Sequence, residues 1–248
     1  MRAGGISVNQ EGTPVVNRWR KFVQEQLFPP VCRLCRAPGR RGVDLCEACI
    51  ADLPWLPPGC RQCGQPLAVA GAGLCGRCLA RPPAFDGCIS LFSYEFPIDQ
   101  LIQRIKFNSD LAMARSLGLL LSQRLRERLE PAPDRVIPVP LHWRRLAKRG
   151  FNQALELARP LADTGFVVDG SLCRRIRRTP AQSGLSAARR RRNLRGAFEV
   201  TGGVRGRRIA VIDDVMTTGS TLDALARTLK RAGAVRVEAW VIARTLKQ

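Results

Sequence analysis

The stretch VIDDVMTTGST, residues 211–221, decides the predicted fold, because an apolar run ends in two acids and then a turn of glycine and hydroxyl residues. The preceding residues 207–212 complete a continuous apolar strand, as found in parallel sheets covered on both faces. The following residues 221–233 place Leu222, Leu225 and Leu229 on one stripe of a helix. Ligands of open α/β sheets bind beyond the carboxyl ends of the strands. We therefore expect a ligand site at residues 213–221.

The flanking sequence repeats this alternation of strand and helix. Apolar runs of strand length lie at 88–96, 134–140, 166–168, 171–176 and 235–243, and helical periodicity at 98–107, 111–129 and 151–162. Alternating strands and helices predict a doubly wound α/β domain, with a parallel sheet flanked by helices.

The chemistry of residues 213–221 predicts a sugar phosphate. Backbone amides, hydroxyls and the positive end of a helix dipole form a nest for a phosphate, and Gly219 allows a positive φ and close backbone approach. Asp213 and Asp214 would repel that phosphate unless they face hydroxyl donors or a hydrated Mg²⁺. A ligand with a diol and a phosphomonoester, such as a ribose 5-phosphate, meets both requirements.

Eight of the ten cysteines form four CxxC pairs, which in a reducing compartment are typical of metal ligands. The segment between residues 32 and 78 is poor in core residues, so burial alone does not offset its chain entropy. Two zinc ions, each held by four thiolates, would stabilise it, and four protein ligands leave no open position for catalysis. The spacing favours two sequential quartets but leaves a cross-braced pairing open. The predicted zinc ligands are Cys32, Cys35, Cys46, Cys49, Cys60, Cys63, Cys75 and Cys78.

The net charge of +21 and the pI near 11.2 indicate a polyanionic partner, either nucleic acid or phosphorylated small molecules. No apolar run reaches the roughly 18 residues of a membrane span, and the start of the chain lacks the core of a signal peptide. We therefore expect a cytoplasmic protein. An amphipathic helix that includes Trp19, Phe22 and Leu27 either packs on its own domain or lies at the inner face of the membrane.

Much of the positive charge lies in residues 174–195, which contain nine arginines and no acid. Arginine suits phosphate through its planar fork, so the segment is either a flap over pyrophosphate or a track for a nucleic-acid backbone. Trp143 and Phe151 lie in a second basic stretch and are the best candidates for base stacking. The candidate flap or nucleic-acid residues are Arg174, Arg175, Arg177, Arg178, Arg189, Arg190, Arg191, Arg192 and Arg195.

A proline-rich loop follows the strand at 134–138, where successive prolines orient backbone N–H groups toward an anion. Lys106 is a further candidate for phosphate contact, whereas His142, the only histidine, is expected to be structural. The candidate pyrophosphate-loop residues are Pro138, Val139, Pro140, Leu141 and Arg149.

The 211–221 stretch resembles the phosphoribosyl-pyrophosphate motif of type I phosphoribosyltransferases, D-D-x-x-T-T-G-x-T. The resemblance implies that Asp213 and Asp214 are catalytic residues that hold the ribose 2′- and 3′-hydroxyls, with Mg²⁺ accompanying the ligand. It also implies that residues 217–221 cradle the 5-phosphate. The implied phosphoribosyl-pyrophosphate site comprises Asp213, Asp214, Val215, Met216, Thr217, Thr218, Gly219, Ser220 and Thr221.

The segments VIPVPLHWRRLAKRGFNQA (136–154) and RTPAQSGLSAARRRRNLRGAF (178–198), together with the cysteine-rich module, resemble the ComF family of competence-associated proteins. The resemblance implies a tail and helix at 1–31, a double zinc ribbon at 32–80 and a phosphoribosyltransferase-like domain at 86–248. It further implies handling of incoming single-stranded DNA during natural transformation, with proteins of the competence machinery as partners. The alternative is an active phosphoribosyltransferase of nucleotide metabolism, in which a nitrogen nucleophile displaces pyrophosphate, without a DNA role. Sequence alone identifies neither the acceptor nor the oligomeric state.

Overall fold

The computed structural model describes residues 29–67, 73–126, 131–177 and 194–246. The chain divides into two compact units, one ending at Ile50 and the other beginning at Ala51. The predicted N-terminal helix lies outside the described residues, as do Arg178 and Arg189–Arg192 of the arginine-rich segment. The three-part division proposed from the sequence stays a prediction.

The first unit is built from turns that carry the first two CxxC pairs. Isolated bridges join Val31 to Pro38 and Arg40 to Val43, and helix α1 (Glu47–Ala51) carries the last cysteine of the set. Few apolar residues are buried here, so the turns depend on something other than a hydrophobic core.

The second unit begins with a short helix, α2 (Gly76–Ala80), of a second cysteine-rich segment. Its sheet, as far as the described residues go, has four parallel strands in the order β1-β6-β5-β2. The bounds are β1 Gly87–Ser93, β2 Arg135–Pro138, β5 Arg208–Met216 and β6 Arg236–Arg244. This confirms the predicted parallel sheet flanked by helices.

Helices connect the strands of this sheet along the chain. The predicted helices are α3 (Ile98–Asn108), α4 (Leu111–Arg126), α6 (Gln153–Ala162) and α7 (Ser220–Arg231). Leu222, Leu225 and Leu229 of α7 are buried, as their spacing predicted. They join a core that includes Ile209 and Val211 of β5.

Two elements were not predicted as such. Helix α5 (Trp143–Arg149) begins at His142, whose Nδ1 accepts a hydrogen bond from the Arg144 amide at 3.3 Å, and ends at Gly150 in the left-handed region. None of its residues is buried, so no apolar stripe marks it in the sequence. Strand β4 (Phe198–Val200) pairs antiparallel with β3 (Cys173–Arg175), and both are only three residues long.

Gly118 sets the distance between α4 and α6. A Cβ built at this position would lie 3.0 Å from Cγ of Pro160 and closer still to the carbonyl oxygen of Leu157. Pro160 lies inside α6 and does not interrupt the helix, which continues to Ala162. Glycine is therefore required for the close approach of these two helices.

We predict that Gly118→Ala lowers the free energy of unfolding by roughly 1–3 kcal/mol, because overpacking outweighs the gain in helix propensity. Urea denaturation measures it. Gly203→Ala is the matched control, since a Cβ there meets nothing within 4 Å. Equal stability of the two variants would contradict the role assigned to Gly118.

Candidate ligand site and zinc centres

The candidate site opens where β5 extends past β2. The register between these strands ends at the Pro138–Ile212 pair, whereas β5 continues beside β6 as far as the Met216–Arg244 pair. The sequence predicted that the strand ends at residue 212; it ends instead at Met216. Asp213 and Asp214 therefore lie within a strand that projects beyond its neighbour.

The two acids are close together, and Asp213 is half-buried while Asp214 is buried. Asp214 is 5% exposed, and its backbone N–H donates to Oδ1 of Asp213 at 2.9 Å. Burial, together with the charge of Asp214, raises the pKa of Asp213 well above its ordinary value. A carboxylate in this environment favours a nearby cation or hydroxyl donors.

Cationic side chains from three elements interact electrostatically with the acids. Nζ of Lys106 on α3 forms an ion pair with Oδ2 of Asp214, although the sequence predicted this lysine at a phosphate. Burial lowers the pKa of Arg149, on α5, and Asp214 and Asp213 act on it in the opposite direction. Burial and Arg145 lower the pKa of Arg175, on β3, and Asp213 opposes them. Asp213 thus interacts electrostatically with both arginines, and Asp214 interacts with Arg149.

The turn after β5 has the geometry of an anion site. Gly219 has φ 76° and ψ 3°, the left-handed conformation that the sequence predicted, and it caps α7. The hydroxyls of Thr218 and Ser220 lie 2.8 Å apart. The first amides of a helix have no intrahelical acceptor, so the start of α7 offers donors beside these hydroxyls.

The candidate pyrophosphate loop is held by a residue that the sequence did not single out. Val139 and Pro140 are buried, and Nδ2 of Asn152 donates to the carbonyl oxygen of Val139 at 3.1 Å. Oδ1 of Asn152 caps α6 by accepting from the Ala154 amide at 3.1 Å. Nη1 of Arg149 donates to Oε1 of Gln153 at 2.5 Å, so the loop and its arginine are both tied to the start of α6.

The β3–β4 hairpin carries the two ends of the arginine-rich segment. Nε of Arg174 donates to Oε2 of Glu199 at 2.6 Å, and Nη1 of Arg177 donates to the carbonyl oxygen of Arg195 at 3.0 Å. A bridge between His142 and Arg175 joins the hairpin to the candidate pyrophosphate loop. The structure thus brings Arg175 to the acids, while Arg174, Arg177 and Arg195 are exposed on the hairpin.

A cavity of about 1060 Å³ lies beside the 218–220 turn. Among the described residues, its charged lining consists of six cations and one acid, Asp223, which accepts from the Ala84 amide and from Arg227. We call it the α7 groove. Its cations are Arg77, Arg81, Arg195, Arg227, Lys230 and Arg231.

The cysteines form two sequential quartets, which resolves the pairing that the spacing left open. Within each quartet the four Sγ atoms all lie within 4.8 Å of one another, a separation that suits a tetrahedral Cys₄ zinc site. The Cys35 and Cys46 sulfurs are 3.5 Å apart, and those of Cys63 and Cys75 are 3.6 Å apart. The first quartet lies in the first unit and the second quartet in the second unit.

Backbone amides favour the thiolate form of one cysteine in each quartet. Burial raises the pKa of Cys32, but backbone hydrogen bonds, first from Cys35 and Cys46, outweigh it and lower that pKa to about 6. The pKa of Cys60 is lowered to about 7 by the same balance. In contrast, burial raises the pKa of Cys88 and of Cys173 to about 12, which disfavours the thiolate form of both.

The second quartet is bonded to the end of the parallel sheet. Arg244, the last residue of β6, is 1% exposed, and its Nη1 donates to the carbonyl oxygen of Cys63. A buried guanidinium is stable only when it is well paired. This contact therefore ties the position of the quartet to β6, which runs beside the candidate ligand site.

Two family models match the chain. Residues 23–79 match a double zinc ribbon domain, and residues 145–248 match a phosphoribosyl transferase domain. The DNA utilization protein YhgH of Salmonella typhi is 38% identical over 224 residues, which cover 88% of this chain and 98% of that protein. The chain belongs to the ComF family.

Other relatives carry competence names. Competence protein F of Haemophilus influenzae is 35% identical over 208 residues, covering 81% of this chain and 90% of that protein. A glutamine phosphoribosylpyrophosphate amidotransferase structure from B. subtilis is 22% identical, covers 52% of this chain and 26% of that one, and has a TM-score of 0.34. The fold assignment therefore depends on the parallel sheet and the family models. Within the described residues, no helix has the length and apolar character needed to span a membrane.

We predict two zinc ions per chain by mass spectrometry under native conditions, and about one in a Cys60→Ser variant, because three thiolates do not complete a closed structural site. Cys88→Ala is the matched control, because Cys88 belongs to neither quartet, and it should retain both ions. Loss of both ions in Cys60→Ser, or of neither, would contradict the independence of the two sites.

Proposed function

We propose that this ComF protein binds phosphoribosyl pyrophosphate with Mg²⁺ at residues 213–221 and handles single-stranded DNA during natural transformation. The observation that carries the proposal is the half-buried Asp213 next to the buried Asp214, just before a glycine-capped helix and in electrostatic interaction with two arginines. The two carboxylates favour a cation or hydroxyl donors, and the backbone amides at the start of α7 favour an anion.

Each part of such a ligand has a matching group. The ribose hydroxyls would donate to Asp213 and Asp214, and the hydroxyls and amides of residues 217–221 would hold the 5-phosphate. Arg149 and Arg175 would face the pyrophosphate, beside the loop from Pro138 to Leu141. Mg²⁺ would supply charge neutralisation between the acids and the pyrophosphate oxygens.

Lys106 is paired with one of these acids. Its ion pair with Asp214 offsets part of the charge that burial disfavours. The side chain of Lys106 is 22% exposed, so it lies at the edge of the site rather than in the core. We propose that it exchanges Asp214 for a ligand oxygen when the sugar phosphate binds.

We expect Asp213→Asn to weaken binding of Mg²⁺–phosphoribosyl pyrophosphate by roughly tenfold or more, since hydrogen bonds to a charged group contribute about 1.5–3 kcal/mol. Isothermal titration calorimetry measures the affinity. Asp163→Asn, which removes an exposed carboxylate at the end of α6, should bind as the unchanged protein does. Equal affinity of both variants would count against the proposed site.

The raised pKa of Asp213 adds a pH dependence to the same titration. Bound Mg²⁺ favours the carboxylate, so binding should release a proton and tighten as pH rises from 3.8 toward the raised pKa. Asp214, Lys106 and Arg175 also interact electrostatically with the carboxyl group of Asp213. The part of the proton release that belongs to Asp213 should be absent in Asp213→Asn.

The DNA role is supported by the α7 groove and by the names of the relatives. One relative is named a DNA utilization protein and another a competence protein. Six cations against a single, already paired acid make the groove suited to a phosphate backbone. Arg195, the last arginine of the arginine-rich segment, lines this groove, and its carbonyl oxygen accepts from Arg177.

Anisotropy of a labelled single-stranded oligonucleotide, measured between 50 and 200 mM salt, tests this role. The slope of log K against log salt should fall by roughly 1.4 in an Arg81→Ala/Arg231→Ala double variant, about 0.7 for each lost phosphate contact. Arg115→Ala/Arg236→Ala removes the same charge outside the groove and should leave the slope within error. A slope that falls equally in both variants would show that net charge, not the groove, drives binding.

A further inference from the structure

A second cavity, of about 670 Å³, is lined in part by Arg174, Arg175 and Ile176 of the β3–β4 hairpin. Its walls come from α5, the start of α6 and β3, and its apolar lining includes Leu146, Phe151, Leu155 and Ile176. We call it the α5 pocket. Its volume is within the range of small-molecule sites, and none of its lining residues belongs to 213–221.

An exposed aromatic ring forms the rim of the α5 pocket. Trp143 is 63% exposed, although a ring of this size is normally buried in a soluble protein. The guanidinium of Arg144 lies 5.1 Å from the centre of the indole ring. An indole held in place by a cation at the mouth of an apolar pocket is a suitable surface for a planar ligand to stack on.

The charged lining of the α5 pocket is complementary to an anion. Among the described residues, it consists of Arg159, Arg174 and Arg175 against Glu156. Glu156 accepts from Arg159 at 2.9 Å, and Nε of Arg174 donates to Glu199 at 2.6 Å. The Arg174 side chain is 65% exposed, so its other N–H groups can still meet a phosphate. The ligand therefore has an apolar, planar part and a negatively charged part.

Few polar side-chain groups of the α5 pocket remain to form hydrogen bonds with the edge of the planar part. Both side-chain atoms of Asn152 are engaged, one with the Val139 carbonyl and the other with the Ala154 amide. Recognition by stacking, with little hydrogen bonding, tolerates any base. That property suits a protein that handles DNA of arbitrary sequence.

We propose that the α5 pocket takes one unpaired base of a single-stranded DNA, stacked on Trp143, with the adjoining phosphate at Arg174. The inference rests on the proposed DNA role and adds a site for the base to it. The strand would pass over the hairpin, since Arg174 lines the α5 pocket and Arg195, at the other side of the stem, lines the α7 groove.

The test compares an oligothymidylate with an abasic strand of the same length and charge, by competition anisotropy at fixed salt. Stacking contributes about 1–3 kcal/mol per base, so Trp143→Ala should lose at least fivefold of the preference for the strand with bases. Phe107→Ala is the matched control, because Phe107 is an aromatic residue 76% exposed on α3 and lines neither cavity. This control should keep the preference.

Trp143→Phe separates stacking from loss of structure. The variant should keep the base preference, while the tryptophan quenching caused by the oligothymidylate should decrease. Equal binding of both strands with a normal salt slope would overturn the α5 pocket and leave the DNA role intact. Absence of binding by either strand at low salt would overturn both, and a preference that survives in Trp143→Ala would place the base elsewhere.

Discussion

The close placement of Asp213 beside the buried Asp214 is the interaction on which the arrangement of the candidate site depends. Two neighbouring carboxyl groups in a poorly solvated gap are unfavourable unless positive charge or hydrogen-bond donors compensate them. The chain supplies Lys106 from α3, Arg149 from α5 and Arg175 from β3. Elements far apart in the sequence thus converge on the end of one strand. Compensation from the protein alone is partial, because the pKa of Asp213 remains raised.

The register of the sheet creates that gap. β2 ends opposite Ile212, and the chain then turns into the loop that Asn152 holds. β5 continues beside β6 for four further residues, so the acids lie on backbone that is paired on the β6 side and no longer paired with β2. A site on a rigid strand is better ordered than one on a loop, and that suits recognition of a diol.

The zinc ribbons determine the stability of the cysteine-rich segments. Segments with few buried apolar residues depend on metal ligation for their stability, and thiolates near one another repel unless an ion is present. The second quartet is also bonded to the sheet, through the buried guanidinium of Arg244 and the carbonyl of Cys63. The two arms of the β3–β4 hairpin line different cavities. Arg174 lines the α5 pocket, and Arg195 lines the α7 groove.

The sequence by itself determined the features that are encoded locally. The apolar run, the acids and the glycine of 211–221 predicted strand, turn and helix, including the left-handed Gly219, because hydrophobic period and turn chemistry act over a few residues. The CxxC pairs predicted zinc sites for the same reason. The polyanionic partner that the arginine content indicates stays a prediction.

Only the tertiary structure decided which distant groups meet. Helix α5 has no buried residue, so periodicity could not reveal it. The length of β5 depends on β6 continuing beside it, and the partner of Lys106 depends on how α3 packs. The choice between sequential and cross-braced cysteines required the folded distances between sulfurs. These features arise from packing between segments separated by tens of residues, for which the local sequence carries no signal.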